Sequence, residues 1–222
     1  MIQDRTLSAS ILAANFAHLK QECDDVINAG CDWIHLDVMD NHYVPNLSIG
    51  PAVLKSLRKA GMSAPVDVHL MITNPESMIE PFAKAGANLI AFHPETSITP
   101  RQTVQKINEA GCQAGLVISP DTPLSLSASL INDIDLLLIM TVYPGFAGQK
   151  YLEKSHRKIT EAQNLIRFSR RKVMLGVDGG VGLDTINDAA KAGADFFIVG
   201  SGIFSANDYE KRIAELKGHP QS

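Results

Sequence analysis

Two polar side chains close to the end of an apolar run, His35 and Asp37, have types and a spacing that suit chemistry. The run at residues 33–38 is typical of a buried strand, and residues i and i+2 of a strand point to the same face. An imidazole and a carboxylate on one face can bind a divalent metal ion or move a proton. This pair would need further ligands, or a second base, from other strands.

Polar residues also mark the ends of other apolar runs. They are Ser8 and Ser10 in the first run, Asp67 and His69 in the third, His93-Pro94-Glu95 after the fourth, and Asp178 after the seventh. Two imidazoles and two carboxylates from separate strands make a mixed nitrogen and oxygen site that suits Zn²⁺, Fe²⁺, Mn²⁺ or Co²⁺. We predict one divalent metal ion with four ligands: His35, Asp37, His69 and Asp178. Asp67 is expected to support this site without binding the metal.

Turns that contain glycine follow the sixth, seventh and eighth apolar runs. Their sequences are Pro144-Gly145-Phe146-Ala147-Gly148-Gln149, Asp178-Gly179-Gly180-Val181 and Gly200-Ser201-Gly202. Such turns expose backbone N–H groups, which bind phosphate together with a helix N-terminus and without arginine. One such turn would be an ordinary connection, but three of them beside carboxylates favour a phosphorylated substrate.

Three methionines, Met39, Met71 and Met140, fall at or just beyond the ends of apolar runs. Core filling is the ordinary role of methionine. At these positions the side chains would also wall off a dry reaction chamber, in which electrostatic interactions are stronger than in water.

Short strands and helices that alternate along the whole chain must position these residues. The pattern predicts eight strands, at residues 6–11, 33–38, 66–70, 89–92, 114–118, 136–140, 172–177 and 196–199. It predicts eight helices, at residues 16–29 with Asn15 as the N-cap, 50–60, 75–85, 99–110, 124–130, 153–167, 183–192 and 207–216. Ala-Gly pairs that begin at residues 29, 85, 110 and 192 close four of the helices, and their glycines suit the left-handed position after a helix.

The Ala-Gly pairs are separated by multiples of about 27 residues, and eight units of that size fill a chain of 222 residues. Eight βα units with continuously apolar strands predict an α/β fold, a closed parallel (β/α)₈ TIM barrel that forms a single domain over residues 1–222. A doubly wound open sheet is the alternative. That fold usually carries a glycine-rich turn after its first strand, where this chain has Leu12-Ala13-Ala14-Asn15.

Composition narrows the classes of function. Of the residues, 45% are hydrophobic and 20% are charged, as in ordinary soluble proteins. The net charge of −4 is spread along the chain, so neither a nucleic-acid partner nor a membrane partner is expected. Residues 1–7 lack a signal-peptide core and no run approaches the roughly 20 apolar residues of a membrane helix, which predicts a cytoplasmic protein. Cys23, Cys31 and Cys112 are expected to be buried thiols.

Taken together, the motifs of this chain resemble those of the ribulose-phosphate 3-epimerase family, in the right order over residues 6–210. The similar segments are Ser8-Ala9-Ser10-Ile11-Leu12, His35-Leu36-Asp37-Val38-Met39-Asp40 with Tyr43-Val44-Pro45-Asn46, Asp67-Val68-His69-Leu70-Met71, and the three turns that contain glycine. Several motifs in one order make a chance match improbable.

The resemblance implies a barrel of the ribulose-phosphate-binding type that interconverts D-ribulose 5-phosphate and D-xylulose 5-phosphate in the pentose phosphate pathway. It implies that Asp37 and Asp178 are the acid/base groups and that both bind the metal together with His35 and His69. It also implies substrate contacts from Ser10, His69, Gly145, Phe146, Ala147, Gly148, Asp178, Gly179, Gly180, Gly200 and Ser201. The partner would be a small-molecule sugar phosphate, and the family suggests a homo-oligomer.

Two residues depart from the family pattern. Asn41 stands where the family usually has glycine, and it can adopt the same left-handed turn. Ala147 adds one methyl group to the predicted phosphate loop. The segment that contains Ala147 is also similar to allulose-6-phosphate 3-epimerases, so D-allulose 6-phosphate is an alternative substrate.

Epimerisation beside a carbonyl removes a proton from one face of a carbon and returns one to the other, so it needs two bases. A metal ion would stabilise the negative charge of the ene-diolate. Barrel decarboxylases and aldolases of the orotidine-phosphate type are a second class, but they use Asp-x-Lys where this chain has Asp37-Val38-Met39. A sugar-phosphate-binding barrel without catalysis is a third class. It predicts a damaged ligand set, and this set is intact.

Overall fold

Short apolar runs form eight parallel strands within residues 5–218, the part of the chain that the computed structural model describes. Residues 1–4 and 219–222 of the predicted domain lie outside this range. Residues 1–4 are also part of the segment 1–7, for which the sequence predicts no signal peptide. The strands are β1 (Thr6–Ser10), β2 (Trp33–Met39), β3 (Val66–Met71), β4 (Leu89–Phe92), β5 (Gln113–Ile118), β6 (Leu136–Met140), β7 (Met174–Asp178) and β8 (Phe196–Val199). They pair in chain order, and β8 pairs with β1. The predicted closed TIM barrel is therefore confirmed.

Helices follow the strands and cover the barrel. They are α1 (Leu19–Asn28), α2 (Pro51–Lys59), α3 (Ile79–Ala85), α4 (Pro100–Glu109), α5 (Ser125–Ala128), α6 (Ser155–Arg167), α7 (Ile186–Ala192), α8 (Ser201–Phe204) and α9 (Tyr209–Lys217). Phe82, Phe92 and Phe197 are fully buried in the main apolar cluster, whereas Leu138 and Phe196 belong to a separate cluster that lies inside the barrel. Burial on both faces explains why the strand sequences are almost continuously apolar.

Several predicted boundaries are wrong by a few residues. The predicted helix 16–29 begins with a separate 3₁₀ turn, Phe16–His18, because His18 has a non-helical backbone (φ −127°). The predicted helix 124–130 is shortened to one turn, and the short helix Ser201–Phe204 was not predicted. The seventh strand lies at Met174–Asp178 instead of 172–177, because Asp178 pairs with both neighbouring strands.

The turns after the helices and the cap at Asn15 adopt the conformations that the sequence predicts. The glycines after four helices have positive φ angles of 101° at Gly30, 102° at Gly86, 83° at Gly111 and 120° at Gly193, as predicted for the left-handed position. Asn41 also has a positive φ, 57°, so the asparagine adopts the turn that glycine would make. The predicted cap at Asn15 is confirmed, since its side chain accepts a hydrogen bond from the Ala17 N–H at 3.1 Å.

Burial of the cysteines also agrees with the prediction. Cys23, Cys31 and Cys112 are buried free thiols. Burial raises the pKa of Cys23 and of Cys31 to about 12, which makes these thiols unreactive at neutral pH.

Between residues 5 and 218, the helices are all too short or too polar to cross a membrane.

Candidate active site and metal centre

Strand register brings the predicted ligands together. Parallel pairing of β2 with β3 sets Asp37 beside His69 and His35 beside Asp67. Asp178 ends β7, on the far side of the barrel in the strand order. Because the strands are parallel, their carboxyl ends meet at one mouth of the barrel, and all these side chains converge there.

The four predicted ligands form one compact group. One nitrogen or oxygen atom of each residue lies within 4.8 Å of the corresponding atoms of the other three. His69 Nδ1 lies 3.6 Å from an oxygen of Asp37 and 3.5 Å from an oxygen of Asp178. His35 Nε2 lies 3.2 Å from Asp37 Oδ1 and 4.0 Å from Asp178 Oδ2. The predicted grouping of His35, Asp37, His69 and Asp178 is therefore observed.

One atom of this group indicates what the group is built to hold. His69 Nδ1 is buried, and among the described residues it has no hydrogen-bond partner, which is costly for a polar nitrogen. A bound cation could accept the lone pair of His69 Nδ1. Two imidazole nitrogens with carboxylate oxygens are a donor set for Zn²⁺, Fe²⁺, Mn²⁺ or Co²⁺, so these residues fit the predicted divalent metal ion.

The electrostatics of the group favour positive charge. Burial opposes the charged form of His35, but the carboxylates of Asp67 and Asp37 raise its pKa well above the usual value. Burial likewise opposes charge on His69, yet Asp178 and Asp37 raise its pKa. At Asp37, burial acts to raise the pKa, and the imidazoles of His35 and His69 bring it below its ordinary value. A bound divalent cation would supply the same positive charge.

Two buried partners hold the β2 ligands in place. Asp67 accepts a hydrogen bond from His35 Nδ1 and another from the Ser8 hydroxyl at 2.5 Å. A proton on Nδ1 leaves the Nε2 lone pair of His35 directed at the ligand group. The Ser10 hydroxyl donates to Asp37 Oδ2 at 2.6 Å. Asp67 thus supports His35, as a residue beside the site and not as a ligand.

A cavity of about 260 Å³ lies at the mouth of the barrel. Its wall contains most of the predicted substrate and wall residues: Ser10, Asp37, Met39, Met71, Met140, Gly145, Phe146, Ala147, Gly148, Asp178, Gly179, Gly180, Gly200 and Ser201. His35 and His69 are fully buried and do not form part of this wall. Leu12, Val142 and Ile198 add apolar surface that the sequence did not single out.

The turns around the cavity depend on close backbone packing. Gly180 has a φ of +65°, and a Cβ atom there would lie 2.5 Å from the backbone nitrogen of Tyr151. Only glycine therefore allows the turn after β7 to pack against the segment after β6. The Asn46 side chain donates to the carbonyl of Gly145 at 2.7 Å and ties the segment after β2 to the same rim.

His93 is a site residue for which the sequence suggested no role. It is fully buried, and its Nε2 lies 2.9 Å from Nε2 of His69. Burial, with a smaller contribution from His69, lowers the pKa of His93 to about 4, so the ring is neutral. Its position follows from register, because Ala91 pairs with His69 and His93 lies two residues further along the same strand direction.

Fold and site together define a barrel enzyme with a group that could hold a metal ion at the carboxyl ends of its strands. A model of the ribulose-phosphate 3 epimerase family matches residues 6–204. The chain belongs to this family and is an isomerase of the epimerase class, so the resemblance seen in the sequence is confirmed.

Relatives named ribulose-phosphate 3-epimerase match nearly the whole chain. The relative from Serratia marcescens is 49% identical over 92% of this chain and 98% of its own length. The relative from Escherichia coli strain K12 is 47% identical over 95% of this chain and 94% of its own length. A relative from Buchnera aphidicola is 46% identical, with coverages of 95% and 92%.

Distant solved structures share the barrel. KGPDC from Streptococcus mutans superposes with a TM-score of 0.73 at 15% identity, covering 98% of this chain and 97% of that one. The 3-hexulose-6-phosphate synthase from Salmonella typhimurium has a TM-score of 0.69 at 20% identity, with coverages of 96% and 97%. At these identities the likeness extends to the fold alone.

Proposed function

We propose that this chain catalyses the metal-dependent 3-epimerisation of D-ribulose 5-phosphate to D-xylulose 5-phosphate, with Asp37 and Asp178 as the two proton-transfer groups. The supporting observation is that these carboxylates come from β2 and β7, which β1 and β8 separate, yet share one cavity wall and one ligand group. Membership of the family supports the reaction and the substrate.

Two carboxylates suit the chemistry because each can serve one face of the substrate. One removes the C3 proton and leaves an ene-diolate, and the other returns a proton to the opposite face of C3. His35, Asp37, His69 and Asp178 would hold the metal ion, which supplies Lewis acidity that stabilises the negative charge. The Ser10 hydroxyl holds Asp37 through its second oxygen and keeps the carboxylate in position.

Substrate binding is assigned to the cavity wall. The turns at Gly145–Gly148, Gly179–Gly180 and Gly200–Ser201 offer backbone N–H groups to the phosphate, and among the described residues no lysine or arginine lines the cavity. Met39 stands where a decarboxylase of the Asp-x-Lys type would need its ammonium group. With Met71 and Met140 it excludes water from the carbon that reacts.

We expect kcat/KM for D-ribulose 5-phosphate to exceed that for D-allulose 6-phosphate by roughly 10- to 100-fold. The distance between the ligand group and the glycine turns is fixed by the barrel, so a substrate with one more carbon cannot place C3 and its phosphate equally well. Proton NMR of both substrates, offered side by side to the metal-loaded protein, measures the ratio.

Ala147→Gly is the matched variant for this measurement, because it removes the one methyl group by which the loop departs from its family. The ratio should change little in this variant. A ratio near one, or a preference for the hexulose, would assign the chain to allulose-6-phosphate epimerisation. No turnover of either sugar would identify a binding barrel without catalysis.

We further infer that each chain acts as one barrel domain, in the cytoplasm and within a homo-oligomer. The inference is supported by the continuous βα pattern and by the bacterial epimerase relatives. Sedimentation of the purified full chain would measure the mass of the assembly.

A further inference from the structure

We propose that His93 is a positioning residue that keeps the proton of His69 on Nε2, so that the Nδ1 lone pair of His69 faces the metal ion. The inference rests on the metal-dependent function proposed above. His93 is fully buried and does not line the cavity. Its contact with the site is the pair of Nε2 atoms, 2.9 Å apart.

The direction of each hydrogen bond between Glu95 and His69 can be worked out from the outer end of the chain, where His93 Nδ1 also lies 3.7 Å from Glu95 Oε1. Glu95 Oε1 lies 2.9 Å from the hydroxyl of Tyr43, and an ionised carboxylate can only accept a hydrogen bond. Tyr43 therefore donates to Glu95. The Tyr43 oxygen lies 3.2 Å from Ser119 Oγ, so the Ser119 hydroxyl donates to Tyr43.

Ser119 and His93 continue this chain of hydrogen bonds inward to the metal ligand His69. Ser119 Oγ has used its proton on Tyr43, so it accepts from Nδ1 of His93, 3.1 Å away. A neutral imidazole with its proton on Nδ1 has an acceptor at Nε2. His69 must then donate from its own Nε2. The result is a chain of four hydrogen bonds that all point away from the ligand group and end at Glu95.

This direction of the hydrogen bonds leaves Nδ1 of His69 free to bind the metal ion. With the proton of a neutral His69 on Nε2, Nδ1 carries the lone pair, and Nδ1 is the atom close to Asp37 and Asp178. The same Nδ1 atom is the buried nitrogen without a hydrogen-bond partner. A proton on the other nitrogen would block ligation and leave two Nε2 lone pairs facing each other.

The two ligand imidazoles are thus held by different kinds of partner. His35 donates to a carboxylate, Asp67, and presents Nε2, whereas His69 donates to a neutral imidazole and presents Nδ1. A second buried carboxylate in the place of His93 would add negative charge beside Asp37, Asp67 and Asp178. An imidazole fixes the proton of His69 without that added charge.

Zn²⁺ affinity of the metal-stripped full chain, measured by competition with a chelator, tests the proposal without relying on activity. His93→Leu removes the acceptor and should weaken Zn²⁺ binding by roughly 10- to 100-fold. His93→Gln places a carbonyl oxygen where Nε2 stood and should recover affinity to within about threefold of wild type. Phe92→Leu, at the last residue of β4 and in the main apolar cluster, should lower the melting temperature but leave Zn²⁺ affinity unchanged.

A second measurement reads the protons directly. In the ¹⁵N-labelled, Zn²⁺-loaded protein, imidazole NMR should show the proton of His93 on Nδ1 and that of His69 on Nε2. Wild-type affinity in His93→Leu, an equal loss in Phe92→Leu, or a His93 proton on Nε2 would each overturn the proposal. Failure of the wild-type chain to bind Zn²⁺ would instead contradict the metal site itself.

Discussion

Asp37→Asn and Asp178→Asn will each reduce turnover of D-ribulose 5-phosphate by about 10²- to 10⁴-fold. The amide keeps the shape of the carboxylate and one oxygen, but it cannot accept a proton from C3. Both carboxylates are needed in every turnover because a proton must leave one face of the carbon and return to the other. Steady-state kcat of the metal-loaded variants measures the effect.

The carboxylate that remains in each variant leads to a second prediction, which is more specific than a loss of rate. Each variant keeps the base for one face of C3, so it should exchange the C3 hydrogen of one epimer with solvent without forming the other. The two variants should act on opposite epimers. Asp184→Asn is the matched control, since this exposed carboxylate lies in the same connection after β7 and outside the cavity, and its turnover should equal that of wild type. Near-wild-type turnover in Asp37→Asn or Asp178→Asn would contradict the assignment.

Removal of the divalent metal ion will lower turnover by about 10³-fold. Without a cation the developing charge on the ene-diolate would face the carboxylates of Asp37 and Asp178 in a buried site. Zn²⁺, Fe²⁺, Mn²⁺ or Co²⁺ should restore activity, because all accept imidazole nitrogen. Mg²⁺ should restore little, since it prefers six oxygen ligands. Assays of chelator-stripped and refilled protein, with metal content measured for each sample, make the comparison.

Thermal unfolding of the same samples provides the control for this experiment. The core clusters of the barrel consist of apolar side chains and include none of the four ligands, so the stripped protein should still unfold cooperatively. Full activity in protein with no measurable metal would contradict the metal-dependent mechanism, whereas loss of the fold would mean that the metal is structural.

The order and type of the strands could be predicted because each strand is buried on both faces and therefore almost continuously apolar. Boundaries were less accurate where polar residues take part in the sheet. Asp178 stands before Gly179-Gly180 and is therefore typical of a turn, yet it forms part of β7 because it pairs with Met140 and Ile198. Such pairing depends on neighbouring strands and cannot be deduced from a local pattern.

The ligand set was predictable because chemistry needs particular side chains at strand ends, and parallel strands bring those ends together. The role of His93, in contrast, could not be predicted from the sequence. Its sequence context, His93-Pro94-Glu95 after a strand, is also that of an ordinary turn. The role of His93 follows from the register that sets Ala91 beside His69, from its contact with Ser119 and from the contact of Ser119 with Tyr43, and both residues lie in distant parts of the chain.

Deuterium incorporation at C3, followed by NMR in D₂O, tests the two-base epimerisation most directly. The metal-loaded wild-type chain should convert D-ribulose 5-phosphate into D-xylulose 5-phosphate that carries one deuterium at C3 and none at other carbons. Stripped protein should incorporate label and form product about 10³-fold more slowly. Product that retains the original C3 hydrogen, or deuterium placed at C1 instead of C3, would contradict proton transfer by Asp37 and Asp178.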